Sequence, residues 1–269
     1  MGILNVTPDS FSDGGRFFSV DDAIARAETI LGEGADIVDV GGESTRPQGA
    51  TSVDVTEERR RVLPVIAAIA QRFPGAIVSV DTVKSDVAEG ALAEGAAIVN
   101  DVSAFRLDSR MGETCARAGA GVVLMHSRGG VSDMGTYAYA HYGSDVVGEV
   151  LNEVVPRAQE AERAGVRREA IVLDPGIGFA KRTEHSLAVL GALQRIVDVG
   201  YPVLVGVSRK RFIGEITDVR DPEQRLFGTI GANVMALAGG ARIFRVHDVA
   251  ATRQALGVAW AILQRESDG

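Results

Sequence analysis

The chain repeats one unit: a short apolar run, a polar residue at its end, a glycine-rich turn, then a stretch of helical periodicity. Ile171-Val172-Leu173-Asp174-Pro175-Gly176-Ile177-Gly178-Phe179-Ala180-Lys181 shows the unit most clearly. A run of strand length delivers one carboxylate, and Pro175 then ends any ladder because it lacks an N–H. Gly176 and Gly178 permit a tight loop that passes close to a ligand. A strand that ends in a charge and turns at once into a helix is the local pattern of an α/β sheet whose functional groups sit at the carboxyl ends of its strands.

The unit recurs through the chain. Strands are expected at Ile3-Leu4 (ending at Asn5), Ile37 to Val40, Ile77 to Val80 (ending at Asp81) and Ala97 to Val99 (ending at Asn100-Asp101). Four more are expected at Val122 to Met125 (ending at His126), Ile171 to Leu173, Val203 to Val207 and Arg242 to His247. Between them, apolar residues recur at helical spacing, as in Val20, Ala23, Ile24, Ala27, Ile30 and Leu31, with Ser19 as N-cap. Thr56 is the expected cap of the next helix, and Pro64 is expected to kink or restart it. Further helices are expected from Lys84 to Glu94 and from about Ser144 to Ala164. Eight βα units predict an α/β fold, a (β/α)8 TIM barrel forming a single domain over residues 1–269. A doubly wound open sheet is the alternative, since periodicity alone does not show closure. No G-x-G-x-x-G follows a strand in the required context, so a dinucleotide site is unsupported.

Composition narrows the functional classes. The formal net charge of −8 argues against general nucleic-acid binding. The one cysteine, Cys115, permits no intrachain disulfide and no cysteine-based metal site, and it reads as a buried helical thiol. The first residues carry no basic segment followed by an apolar core, and Phe227 to Ala241 is too short and polar to span a bilayer. A soluble cytoplasmic protein with no membrane partner is expected.

In a barrel the strand ends converge. Asn5, Asp39, Asp81, Asn100, His126, Asp174, Lys210, Arg245 and His247 would then share one mouth. A lone Asp after a strand is more often a helix cap, Asp39 could be only an internal acceptor, and His126 could be a satisfied loop histidine. Polar groups at nearly every strand end, Asn, Lys and Arg among them, go beyond what capping needs. Arg46, Arg245 and His247 suit a phosphate or pyrophosphate, for which arginine offers a planar fork. The side-chain oxygen of Asn5 suits Mg²⁺ carried in by phosphates. Asp81, Asn100 and Asp174 suit the amino-pyrimidinone edge of a flat heterocycle, and Lys210 can donate to a ring carbonyl or nitrogen. These residues point to a phosphorylated nitrogen heterocycle and do not name it.

Longer motifs do. Gly2-Ile3-Leu4-Asn5-Val6-Thr7-Pro8-Asp9-Ser10-Phe11-Ser12-Asp13-Gly14-Gly15 closely resembles the opening signature of the dihydropteroate synthase family. So do Asp39-Val40-Gly41-Gly42-Glu43-Ser44-Thr45-Arg46-Pro47, Ser79-Val80-Asp81-Thr82, Asn100-Asp101-Val102, Leu173-Asp174-Pro175-Gly176, Ser208-Arg209-Lys210 and Arg245-Val246-His247-Asp248, in the right order. The resemblance implies condensation of 6-hydroxymethyl-7,8-dihydropterin pyrophosphate with p-aminobenzoate, giving 7,8-dihydropteroate and pyrophosphate. It implies pterin contacts from Asp81, Asn100, Met125, Asp174, Gly206 and Lys210. Pyrophosphate contacts would come from Asn5, Arg46, Arg245 and His247, with Mg²⁺ at Asn5 and Asp13 nearby. A p-aminobenzoate pocket of Thr45, Pro47, Phe179, Ser208 and Lys210 is implied, for which sulfonamides compete. Lys210, Arg46, Asp81 and Asp13 form the implied catalytic group, and a homodimer is the implied assembly.

Two departures from the family pattern stand out. Gln48 precedes Gly49 where the family usually has Gly directly after Arg-Pro, so an effect on p-aminobenzoate and sulfonamide affinity is expected. The chain also starts almost on its first strand, whereas relatives often carry an extension over the barrel floor, so a less stable floor is expected. A pterin-dependent methyltransfer domain or a pterin-binding paralogue without synthase activity are the competing readings. The former has little use for Ser44-Thr45-Arg46-Pro47 or Ser208-Arg209-Lys210.

Overall fold

A computed structural model describes residues 1–7, 19–43 and 53–267 of the chain. The first half runs β1 (Gly2–Asn5), α1 (Val20–Gly32), β2 (Ile37–Gly41), α2 (Val55–Arg72), β3 (Ile77–Asp81), α3 (Ser85–Ala93), β4 (Ile98–Asp101), α4 (Met111–Ala118) and β5 (Gly121–Met125). The second half runs α5 (Val146–Arg163), β6 (Ile171–Asp174), α6 (Thr183–Gly191), α7 (Gln194–Val197), β7 (Leu204–Val205), α8 (Arg211–Thr217), α9 (Leu226–Ala238), β8 (Ile243–Phe244) and α10 (Val249–Ser267).

Strands β1 to β6 form one parallel sheet in chain order, and β7 pairs parallel with β8. Single bridges join the two pieces, Leu173 to Val203 on one side and Gly2 to Val246 on the other. Across the second seam the Ile3 N–H donates to the Val246 carbonyl and the Val246 N–H to the Met1 carbonyl, each at 3.0 Å. The ring therefore closes as the expected TIM barrel rather than an open sheet. The helices bury one stripe each against it: Ala23, Ile24, Ala27 and Ile30 from α1, and Val62, Val65, Ile66 and Ile69 from α2.

Several boundaries differ from the sequence expectation. The seventh and eighth strands shrink to two residues each. The Arg242 and Ile243 N–H groups both point at the Val203 carbonyl (3.1 and 3.3 Å), and a turn from Val207 to Lys210 ends β7 early. The cap of α2 is Asp54, whose side chain accepts from the Glu57 N–H at 2.8 Å, and Thr56 lies inside the helix. Helix α2 runs unbroken through Pro64, which does not restart it and sits on the exposed side. Helix α4 is the helix expected around Cys115, though without bounds, and Cys115 within it is buried as expected. At the floor, a recess of about 610 Å³ lined by residues including Leu31, Phe73 and Ile77 faces away from the strand carboxyl ends.

Candidate functional site

Two charged groups occupy the mouth. The first is centred on Arg245, just past β8. Its Nε donates to Asp39 Oδ2 at 2.6 Å and its Nη2 to Asp81 Oδ2 at 2.8 Å. Asn100 Nδ2 also donates to Asp39 Oδ2, at 3.1 Å. Asp39 is fully buried on β2, whereas Arg245 and Asp81 keep side-chain exposures of 21% and 12%, so the pair faces the opening. Burial pushes Asp81 up to about 7, and the Arg245 guanidinium pulls it back. Asn5 ends β1 beside this group: a Cβ added at Gly41 would lie 3.6 Å from Asp81 Oδ2 and 3.8 Å from Asn5 Oδ1.

The second group is centred on Lys210. A left-handed Arg209 (φ 59°), tied to Asp248 at 2.7 Å and to Thr229 Oγ1 at 3.0 Å, turns the chain after β7. Lys210 Nζ then reaches the Ile177 carbonyl and lies 4.4 Å from the centre of the Phe179 ring. Burial pulls Lys210 down to about 8, with Asp174 opposing. Asp174 is raised above the usual carboxylate range by burial, with Lys210 opposing, and its Oδ1 accepts from the Gly176 N–H at 2.7 Å. Met125, Val83, Val102 and Met134 form an apolar cluster with Phe179 packed against it, a dry wall for a flat ring. Ser208 Oγ accepts from the His247 N–H at 3.1 Å and meets His247 Nδ1 at 2.9 Å.

The mouth therefore gathers Asn5, Asp39, Asp81, Asn100 and Arg245 on one side and Asp174, Phe179, Lys210, Ser208 and His247 on the other. Gly206 adjoins Arg245, its added Cβ falling 3.8 Å from Arg245 Cβ. Asp13, Thr45, Arg46, Pro47 and Gln48 lie outside the described residues. Arg245 differs from the sequence reading in one respect: its described bonds go to two carboxylates of the protein. Asp39 proves to be the internal acceptor that the bland reading allowed. His126 turns out of the mouth, toward Glu153 at 3.1 Å and Lys181 at 2.8 Å. Sequence reasoning gave Lys181 a place on the loop but no task, and it missed Glu153. Nothing in the spacing of residues 126, 153 and 181 marks them as partners, since each sits on a different element.

The metal implied by the family resemblance can be tested on these donors. Among the described residues, no three His, Cys, Asp or Glu side chains gather as a metal cage. The amide oxygen of Asn5 beside Asp81 offers hard oxygen donors but few of them. That suits Mg²⁺ delivered by a diphosphate that supplies the remaining oxygens.

The Arg245 geometry gives a direct prediction. Arg245→Met leaves the buried Asp39 and its neighbour Asp81 without their shared cation, so urea unfolding should show a loss of about 3–5 kcal/mol. An unchanged midpoint would mean that the guanidinium is not part of the fold's support.

Known proteins share this architecture. A family profile described as "Pterin binding enzyme" matches residues 1–247. The dihydropteroate synthase of Synechocystis sp. is 45% identical over 262 residues, covering 97% of this chain and 89% of that protein. The Xanthomonas albilineans dihydropteroate synthase, solved with 4-aminobenzoic acid, superposes with a TM-score of 0.89 at 45% identity, covering 98% of this chain and 92% of the other. The Yersinia pestis enzyme, solved as a sulfonamide drug complex, gives a TM-score of 0.90 at 38% identity, covering 98% and 93%. With a matching profile over most of its length and relatives this similar end to end, the chain belongs to the dihydropteroate synthase family of transferases.

Proposed function

We propose that the barrel mouth carries out the family's reaction through the residues just described, joining a dihydropterin pyrophosphate to p-aminobenzoate with release of pyrophosphate. The observation that carries this reading is Lys210 set 4.4 Å from the centre of the Phe179 ring, with the Asp174 carboxylate acting on its charge, beside the apolar cluster on which Phe179 packs and in the same mouth as the Arg245 fork. Asp174, Asp81 and Asn100 bind the amino-pyrimidinone edge, since carboxylates accept its paired N–H groups. Lys210 donates to the pterin, and Met125 and Gly206 line the slot. Arg245, with Asn5, His247 and Arg46, receives the pyrophosphate. Mg²⁺, held at Asn5, would offset charge on the departing oxygens.

The chemistry then follows charge. Arginine N–H groups stabilise the pyrophosphate as it leaves, and positive charge builds on the pterin methylene in an SN1-like step. The neutral arylamine nitrogen of p-aminobenzoate bonds to the methylene as the C–O bond to pyrophosphate is lost, and the proton it then sheds passes to the released pyrophosphate or solvent. Such an amine is weakly basic and needs no strong general base. Phe179 and Lys210 seat its ring, with Ser208, Thr45 and Pro47 completing the pocket. Excluding water protects the cation from hydrolysis.

We also propose a homodimer. Phe227 and Met235 on α9 and Val258 and Ile262 on α10 are 85%, 68%, 61% and 58% exposed, on two helices that pack together. Exposed apolar residues on such a pair suit a second copy of the same chain. Among the described residues, no helix is long and apolar enough to cross a membrane.

Three measurements check this reading. Purified protein with the pterin pyrophosphate and Mg²⁺ should release pyrophosphate only when p-aminobenzoate is added, and a sulfonamide should suppress the release. Intact pterin binding without release would favour a binding paralogue or a methyltransfer domain. The second is pH dependence. Lys210 is charged below about 8 and loses its charge above it, while p-aminobenzoate is an anion throughout. The KM for p-aminobenzoate should therefore rise between about pH 7 and pH 9. A flat profile would remove Lys210 from that pocket. For the third, light scattering should find a dimer that Phe227→Glu with Val258→Glu converts to a monomer. A wild-type monomer would refute the dimer.

A further inference from the structure

The loop after β6 runs between two lysines. Lys210 approaches it from the mouth, meeting the Ile177 carbonyl and the Phe179 ring. Lys181 approaches from beneath and is 1% exposed. Its Nζ lies 3.2 Å from the Gly176 carbonyl, 3.2 Å from the Phe179 carbonyl and 2.8 Å from His126 Nδ1. An ammonium has three N–H donors, and here each has one acceptor.

The backbone between them is unusual enough to need holding. Gly176 and Gly178 have φ of 67° and 78°, and Ala180 has φ of 45° without being glycine. A Cβ at residue 176 would fall 1.9 Å from the His126 carbonyl oxygen, so the loop lies directly on the end of β5. Such backbone persists where surrounding bonds over-determine it. Besides the Lys181 contacts, the Phe179 N–H donates to the Gly176 carbonyl at 3.0 Å and the Ala180 N–H to the Met134 carbonyl at 2.7 Å.

His126 must accept at Nδ1, so its proton belongs on Nε2, which faces Glu153 Oε2 at 3.1 Å. Burial, and then the charge on Lys181, push the imidazole down to about 4, which keeps it neutral. Arg128 Nε in turn donates to Glu153 Oε1 at 3.0 Å, and its guanidinium lies 4.0 Å from the Tyr142 ring centre. Burial pulls Lys181 down to about 7, with Asp174 opposing. The three acceptors around it favour the protonated form.

We propose that Lys181, held by His126 and Glu153, is a positioning residue that sets the height of Phe179 and the Ile177 carbonyl against Lys210, and so tunes the p-aminobenzoate pocket rather than the pterin slot. Asp174 precedes the loop on a paired strand and is fixed by the sheet, whereas the backbone of Phe179 belongs to the loop, and its ring only packs against the apolar cluster. Losing the inner lysine should therefore move the second pocket more than the first.

This inference rests on the synthase reading, and the test separates the two. Wild-type release of pyrophosphate that needs both substrates is established first; its absence would fail the synthase reading itself. Lys181→Met, nearly isosteric and uncharged, should then raise the KM for p-aminobenzoate about tenfold while the KM for the pterin pyrophosphate stays within about twofold. Unchanged constants, or equal rises in both, would overturn the proposal. If thermal melts show that Lys181→Met does not fold, a second pair decides. His126→Asn keeps an acceptor near Nδ1 and should hold the p-aminobenzoate KM within about twofold, whereas His126→Leu should raise it about fivefold. Equal behaviour of the two His126 variants would overturn it.

Discussion

The Arg245 guanidinium between Asp39 and Asp81 is the interaction on which the mouth depends. It joins the last strand of the ring to the second and third, across 206 and 164 residues of sequence. Backbone bonds close the same seam, but they fix the strands and not the side chains above them. The side chain of Asp39 is fully buried, and a lone carboxylate there would be costly. Its pairing with a cation lets a charged layer exist at the top of an otherwise apolar barrel. Asn100 is drawn in by the same oxygen, so Asp39 aligns Arg245 and Asn100 directly, and Arg245 in turn aligns Asp81.

Much of this was legible because a barrel writes its geometry into the sequence as repetition. Each apolar run had to be short and each had to end in a turn, so strand ends could be numbered, and the polar residue found there was the one at the mouth. Hydrogen bonding decided what was not legible. Val203 to Val207 and Arg242 to His247 read as full strands because all their apolar residues face a core. Only two residues of each keep a regular ladder, since two N–H groups share the Val203 carbonyl. Asp54 displaced Thr56 as a cap because either side chain can accept from a helix end, and sequence does not say where the turn before it finishes. The bounds of helix α4 escaped because its eight residues hold too short a stripe to stand out.

The site followed the same division. Residue type told which chemistry each group could do, but not which partner it would choose. Arginine offers one planar fork to phosphate and carboxylate alike. Packing gave Arg245 two carboxylates, a choice that depends on ring closure setting the end of β8 beside β1 and within reach of β2 and β3. Lys181 and Glu153 look in sequence like ordinary loop and helix charges. They become partners only because His126, at the end of β5, stands between the loop after β6 and the face of α5. A buried lysine needs such a site, because an ammonium removed from water without three acceptors would lose its proton or the fold.

On the proposed function, Arg245 both supports the fold and receives the pyrophosphate, which raises a question of competition. If an incoming pyrophosphate had to strip Arg245 from Asp39 and Asp81, binding would leave two neighbouring carboxylates unpaired and would cost most of what it gained. The geometry avoids this. A guanidinium has five N–H donors, and among the described residues the bonds to Asp39 and Asp81 use one on Nε and one on Nη2. About three N–H groups are left for an anion while both ties hold. An anion arriving there would meet a cation already oriented by two carboxylates. Those carboxylates lower the net positive charge it meets, which weakens the resting attraction. They also fix the fork, so little reorganisation is needed as charge shifts onto the leaving oxygens. Lysine could not fill both roles there, since its compact ammonium has only three donors and no plane to divide between the protein and the ligand.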